Sequence, residues 1–270
     1  MAESEQSQAN GTNPFVKING RIAEIVLNAP ERRNALSLAA WARIPDLTDQ
    51  IAAAGDIRVC VLKGAGNKCF CAGADISEFE ATRATPSAAM HYDEINVAAF
   101  KALKSLPIPT VAAIEGPCLG GGLGLALSCD LRIASKSAFF GIPAAKLGLA
   151  YPPDALTDLL SAVSTSNAKR IIYTGDRFTS EEALTMCLVD EITEPEDLSG
   201  RVETLCATIC SNAPLSIAAA KRAIDEISEQ SGHIELEQHR LVAQLCIESS
   251  DYREGCRAFL EKRKPDFKGS

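Results

Sequence analysis

The chain has 270 residues, 46% of them hydrophobic and 23% charged, with 27 Lys and Arg against 35 Asp and Glu and a formal net charge of −8. An acidic chain lacks the surplus of cations a general nucleic-acid binder needs to neutralise phosphates, and the apolar fraction is too high for a largely disordered protein. No run approaches the roughly 20 apolar residues of a membrane helix; the most apolar stretches, such as residues 108–114, are strand-length.

Residues 1–13 are polar, with neither a basic start nor an apolar stretch, and read as a solvated tail rather than a leader, which points to a cytoplasmic protein. Residues 15–27 alternate around Asn19-Gly20. That dipeptide tolerates positive φ at both centres of a tight turn, so the chain is expected to open with a β-hairpin. From Ser37 the apolar positions Leu38, Trp41, Ile44, Leu47 and Ile51 keep a helical period, with Pro45 inside it and Gly55 near its end. Residues 57–62 predict a buried strand, and the glycine-rich residues 63–79 an irregular loop of the kind that carries function. A helix-like stretch then runs to Ser105.

Pro107 and Pro109 bracket the entry to a strand at 110–114, which leads into Gly116-Pro-Cys-Leu-Gly-Gly-Gly-Leu-Gly124 and an apolar helix to Cys129. Residues 131–134 and Phe139-Phe140 predict further strands. From Pro153 the pattern turns helical, at 155–163, 167–173, 180–187, 198–211, 214–229, 234–246 and 251–262. Ser180 is expected to cap its helix, with Glu181 and Glu182 in the first turn. The expected organisation is a mixed α/β core at 14–195 and a helical C-terminal region at 196–270.

Ten cysteines are spread along the chain, several of them (Cys60, Cys129, Cys187, Cys246) in apolar runs, the pattern of reduced core thiols. Cys69 with Cys71 and Cys206 with Cys210 lack both Cys-x-x-Cys spacing and a nearby His, so no metal is expected.

Two segments share one logic: Cys69-Phe-Cys-Ala-Gly-Ala-Asp75 follows one predicted strand, and Gly120-Gly-Gly122 follows another and opens a helix. Glycine lets backbone N–H groups approach a ligand closely, and two such groups aimed at one oxygen make an oxyanion hole. The plainer alternative for 120–124 is close packing of a helix on a strand. Neither Gly-x-Gly-x-x-Gly nor Gly-Lys-Ser/Thr occurs, so the usual nucleotide fingerprints are absent. His91, His233 and His239 are scattered and there is no Gly-x-Ser-x-Gly elbow, which argues against a serine or cysteine hydrolase. Glu261-Lys-Arg-Lys264 reads either as a solvated helix end or as a phosphate contact.

Pro30-Glu-Arg-Arg-Asn-Ala-Leu-Ser37, Phe70-Cys-Ala-Gly-Ala-Asp-Ile76, Gly116-Pro-Cys-Leu-Gly-Gly-Gly122 with Cys129-Asp130, Phe178-Thr-Ser-Glu-Glu-Ala183 and Glu254-Gly-Cys-Arg-Ala-Phe-Leu-Glu-Lys-Arg-Lys264 stand in order along the chain. From about Phe15 to Lys268 this resembles the enoyl-CoA hydratase/isomerase (crotonase) superfamily. The resemblance implies a spiral α/β core of repeated ββα turns and C-terminal helices that build a homotrimer or a dimer of trimers. It implies an acyl-CoA thioester as substrate, with coenzyme A part of that substrate and no further cofactor. It assigns the oxyanion hole to the N–H groups of Ala74 and Gly121. It places Arg32 and Arg33, Ala72, and the strip Asp75, Ile76, Ser77 along the CoA, and sends Phe259 and Lys262 to a neighbouring subunit's ligand.

The chain departs from that pattern where hydratases of the family carry two glutamates: those positions are Gly124 and Ala144. Neither can hold a proton. Overall similarity points to an enoyl-CoA hydratase, whereas these residues point to a reaction that dispenses with the pair, such as decarboxylation or isomerisation using Tyr151 or Asp154. Tyr151 resembles by position a tyrosine of methylmalonyl-CoA decarboxylase relatives, and its alternative is a pocket wall. Asp154 lies two residues past the aspartate of dienoyl-CoA isomerases, and its alternative is an N-cap on the helix from 155. Glu115 is expected to be structural. A non-catalytic acyl-CoA binder is the alternative of a different class.

Overall fold

The computed structural model describes residues 12–229 and 236–270. The expected tail therefore lies outside the described residues except for Thr12 and Asn13, as does the expected helix start at 234.

The hairpin forms from β1 (Phe15–Asn19) and β2 (Ile22–Leu27), paired antiparallel with Asn19 opposite Ile22. The turn thus centres on Gly20 and Arg21, one residue later than Asn19-Gly20; only Gly20 takes the positive φ, 58°. Ser37 caps the helix Leu38–Ala53 by accepting the Ala40 N–H at 3.1 Å, and the helix continues through Pro45. The strand expected at 57–62 is shifted to β3 (Val59–Gly64).

The next helix, Pro86–Lys104, begins where Thr85 accepts the Ala88 N–H and Pro86 takes the first helical position, which needs no N–H. After β4 (Thr110–Ile114) the glycine segment contains a short strand, β5 (Pro117–Leu119), before the helix Gly121–Leu127. Then come β6 (Leu131–Ser135) and β7 (Phe139–Gly141). Two short strands interrupt the expected run of helices, β8 (Phe178–Thr179) and β9 (Glu191–Thr193). Thr179, not Ser180, caps the helix Ser180–Thr185, in a reciprocal box with Glu182.

The strands form two sheets, β1-β2-β3-β4-β6-β9 and β5-β7-β8. Each turn of the chain feeds one strand to each: β4 then β5, β6 then β7, with Val111 opposite Leu131 and Pro117 opposite Phe139 in parallel register. This is the spiral of repeated ββα units. Within the larger sheet, alternation sorts side chains by layer. Cys60, Leu62, Ala112 and Ile114 face the main core, while Val59, Val61, Val111 and Ile133 pack under the helix Leu198–Ser211 through Leu198, Val202 and Cys206.

The C-terminal helices are Pro214–Glu229, Leu236–Glu248 and Ser250–Glu261. Lys221 fastens the first to the core, donating to Asp130 Oδ2 at 2.8 Å and Ile108 O at 3.1 Å. Asp130 also accepts the Thr110 N–H at 2.7 Å, so one carboxylate joins the start of β4 to this helix.

No cysteine is in a disulfide among those described. Cys60, Cys69, Cys71, Cys118, Cys129 and Cys206 are buried, but Cys187 is exposed at φ 64° and Cys246 only half-buried, so those two are not core thiols. Burial pushes the Cys60 and Cys71 thiols up to about 12. Among the described residues no helix is long and apolar enough to cross a membrane.

Candidate functional site

Residues 30–37 and 69–76 are laced together backbone to backbone. The Leu36 N–H donates to Gly73 O at 2.8 Å and the Asp75 N–H to Leu36 O at 2.9 Å. A trans peptide points its N–H opposite to its C=O. The Gly73 carbonyl is turned to Leu36, so the Ala74 N–H is turned the other way, into a pocket that Ala74 lines. Across the pocket Gly120 O accepts the Gly124 N–H at 3.1 Å inside its helix, so the Gly121 N–H likewise faces outward.

Glycine is required at both approaches. Gly73 has φ 98°, and a Cβ there would lie 2.8 Å from Leu119 O and 3.4 Å from Gly121 N, which shows how closely the loops meet. A Cβ on Gly121 would lie 2.8 Å from the Trp41 ring. Trp41 is fully buried and packs edge-to-face on Phe100 at 5.7 Å, so the floor beneath this amide is rigid. Asn34, with φ 53° and no exposure, holds the first loop from behind: it accepts the Ala29 N–H at 3.0 Å and donates to Ala65 O at 3.0 Å and Cys69 O at 2.7 Å.

The pocket encloses about 110 Å³ and is mostly apolar. Ala144 and Tyr151 line it. Gly124 lies behind the lining, where a Cβ would meet Phe100 Cζ at 2.7 Å and Tyr151 Oη at 3.1 Å. The space a longer side chain would need is therefore filled by a ring and a phenol. The Tyr151 hydroxyl donates to Gly120 O at 3.4 Å, a weak bond, and burial pushes its pKa well above 10.

Asp154 is not brought to this pocket. It stands on the first turn of the helix Pro153–Ala162, whose N-cap is Pro152 with no side-chain bond, so it is not the cap. It is half exposed and pairs with Lys101 at 2.8 Å, a contact that lowers its pKa and turns it to the surface.

Among the expected CoA contacts, Ala72 and Ile76 line the pocket, with Ile76 55% exposed at its mouth. Asp75 is buried and occupied: it accepts from Arg32 at 2.7 Å, from the Ser77 hydroxyl at 2.6 Å and from the Ser77 N–H at 3.1 Å. These bonds, the Ser77 hydroxyl first, hold its carboxyl below the ordinary 3.8. Arg33 is exposed in the left-handed region at φ 55° and contributes its carbonyl to the Ala72 N–H at 3.0 Å. Phe259 is 84% exposed on the helix Ser250–Glu261, and Lys262 ends that helix at φ 54°; neither lines this chain's pocket.

Asn34, Arg83, Tyr92, Asp93, Asn96 and Phe100 also belong to the site, without a role that the sequence pattern reveals. Tyr92, Asn96 and Phe100 recur every fourth residue on one face of Pro86–Lys104, and the signal was available in Thr85-Pro86, a cap followed by a first-turn proline. Among the described residues no group of three or more His, Cys, Asp or Glu is placed to hold a metal.

A family model described as enoyl-CoA hydratase/isomerase matches residues 17–270. The short-chain-enoyl-CoA hydratase of Clostridium acetobutylicum is 31% identical over 252 residues, 93% of this chain and 96% of that protein. The solved enoyl-CoA hydratase/carnithine racemase of Magnetospirillum magneticum superposes with a TM-score of 0.91 at 34% identity, covering 95% of this chain and 96% of the other. The solved enoyl-CoA hydratase of Bacillus anthracis gives 0.89 at 32%, covering 96% and 100%.

Proposed function

Because the chain belongs to the enoyl-CoA hydratase/isomerase family, we propose that its pocket receives an acyl-CoA thioester and stabilises the enolate formed from it with the Ala74 and Gly121 N–H groups. As a member it is an acyl-CoA-binding enzyme. The observation that carries the proposal is the pair of peptides whose carbonyls are engaged elsewhere, leaving both N–H groups on one cavity. Negative charge develops on the thioester oxygen as the enolate forms, and donors fixed in advance hold it without reorganising.

The proton chemistry differs from that of a hydratase with two carboxylates. Gly124 and Ala144 offer no acid or base, and Asp154 is paired with Lys101 outside the pocket lining. Tyr151 remains. With its pKa raised by burial it stays protonated near neutrality, so it is no base, and its hydroxyl can give up a proton only to a centre as basic as an enolate carbon. Decarboxylation fits these parts best. The α-carboxylate leaves as CO₂, the electron pair of the broken C–C bond passes into the thioester carbonyl, and the enolate oxygen is held by the two amides. A proton then returns to the α-carbon from the Tyr151 hydroxyl or a water. The functional unit in this reading is a homotrimer or a dimer of trimers, in which Phe259 and Lys262 meet a neighbour's CoA.

Incubating the protein with crotonyl-CoA and with methylmalonyl-CoA in D₂O, followed by NMR, tests the reading. Loss of CO₂ with deuterium at the α-carbon and no addition of water to crotonyl-CoA is expected, with Tyr151→Phe slowing turnover by about 10²-fold. Formation of 3-hydroxybutyryl-CoA would show that another group activates water. Saturable binding without turnover of either substrate would favour the non-catalytic alternative.

A further inference from the structure

One end of the pocket is not apolar. Five buried side-chain polar atoms lack a hydrogen-bond partner among the described residues, and three belong to residues that line this one cavity: Arg83 Nε, Tyr92 Oη and Asn96 Nδ2. Buried polar groups are nearly always satisfied, so three orphans on one wall mark a place where something else supplies the partner.

All three lack the same thing. Arg83 is clamped in place, its Nη1 and Nη2 donating to the two Asp93 oxygens at 2.7 and 3.4 Å and its guanidinium lying 5.4 Å from the Phe79 ring centre and 5.0 Å from that of Tyr92. Its Nε–H is left over. Tyr92 is 1% exposed and its hydroxyl has no hydrogen-bond partner, so its proton lacks an acceptor. Asn96 presents an amide nitrogen with two hydrogens and no acceptor. The wall therefore offers donors, and the carboxylates near it already have partners: Asp93 is taken by Arg83, Glu78 accepts the Leu38 N–H, and Asp75 accepts from Arg32 and Ser77.

We propose that this wall selects an acyl group carrying an oxygen acceptor away from the thioester, a keto or carboxyl oxygen received by Asn96, Arg83 Nε–H and the Tyr92 hydroxyl. The inference rests on the acyl-CoA reading above and adds the class of acyl chain. A plain alkyl chain would leave the three donors dry and unpaired, and a site built around buried donors rejects a ligand that cannot satisfy them. The Arg83 charge is already balanced by Asp93, and Glu78 stands near Tyr92, so a keto oxygen is ranked above a carboxylate.

Calorimetric titration of the full chain with pentanoyl-CoA, 4-oxopentanoyl-CoA and glutaryl-CoA tests this. At least one oxygen-bearing thioester is expected to bind about tenfold more tightly than pentanoyl-CoA, with 4-oxopentanoyl-CoA ahead of glutaryl-CoA. Asn96→Leu, close in shape but without donors, should tighten pentanoyl-CoA, weaken the oxygenated ligand and bring the ratio near one. Tyr92→Phe provides a second variant that keeps the ring and removes one donor, and should narrow the ratio in the same direction. Pentanoyl-CoA binding as well as or better than both others to the wild-type chain would overturn the proposal while leaving the acyl-CoA reading intact. Failure of all three thioesters to bind would remove both.

Discussion

Gly124 stands where the resemblance expects a glutamate, and the space beside it is occupied. There is no void at this position, because Phe100 Cζ and Tyr151 Oη lie 2.7 and 3.1 Å from where a Cβ would be. Introducing a glutamate by Gly124→Glu is therefore expected to overpack the site, costing about 1–3 kcal/mol in urea unfolding, and to confer no crotonyl-CoA hydration. A single-site gain of hydratase activity would show that the ring yields. The glycines at the site were legible in the sequence because a backbone approach needs them. The donors on the pocket wall were not, since Asn96 on a helix reads the same whether its face meets solvent or a ligand. Asp154 looked catalytic because position along the chain was all that spoke for it; its distance from the lining depends on which way the first turn of its helix points, which sequence spacing does not reveal.

Asn34 and Asp75 act at the scale of the loops they join. Asn34→Ala removes three hydrogen bonds, two of them buried, and asks alanine to hold φ 53°. A loss of about 3 kcal/mol is expected by chemical denaturation, with turnover falling as the 69–76 loop loosens. The Asp75 carboxyl has its pKa depressed by Ser77 and Arg32, so its contribution is fully present above the unfolded value near 3.8 and fades as pH falls through the lower folded value. Acid unfolding should accordingly show a component below about pH 4 that Asp75→Asn abolishes; an unchanged acid limb in that variant would mean the carboxylate adds nothing. The longer elements were readable from period and caps, as at Ser37. The strands β5, β8 and β9 were not, because two or three residues carry no period and become strands only by pairing with neighbours distant in the sequence.

At the scale of the whole molecule, a spiral core is finished on one side by helices that leave much apolar surface outside. Ile224, Ile227, Leu245, Phe259 and Leu260 are each more than half exposed, between 54% and 84%. So much exposed apolar surface on adjoining helices is what the proposed homotrimer or dimer of trimers would cover. Light scattering on the purified protein should give three or six chain masses, and Phe259→Ala should raise the KM for acyl-CoA with the pocket of each chain unaltered. A monodisperse single chain with full activity would contradict the shared-site arrangement.

The central claim is that one oxygen is held by two amides, and a crystal structure of the protein with acetoacetyl-CoA tests it most directly. The account predicts the thioester oxygen at about 3 Å from both Ala74 N and Gly121 N, with the CoA leaving past Ile76. A thioester oxygen turned to any other group, with those two N–H groups facing water, would contradict it.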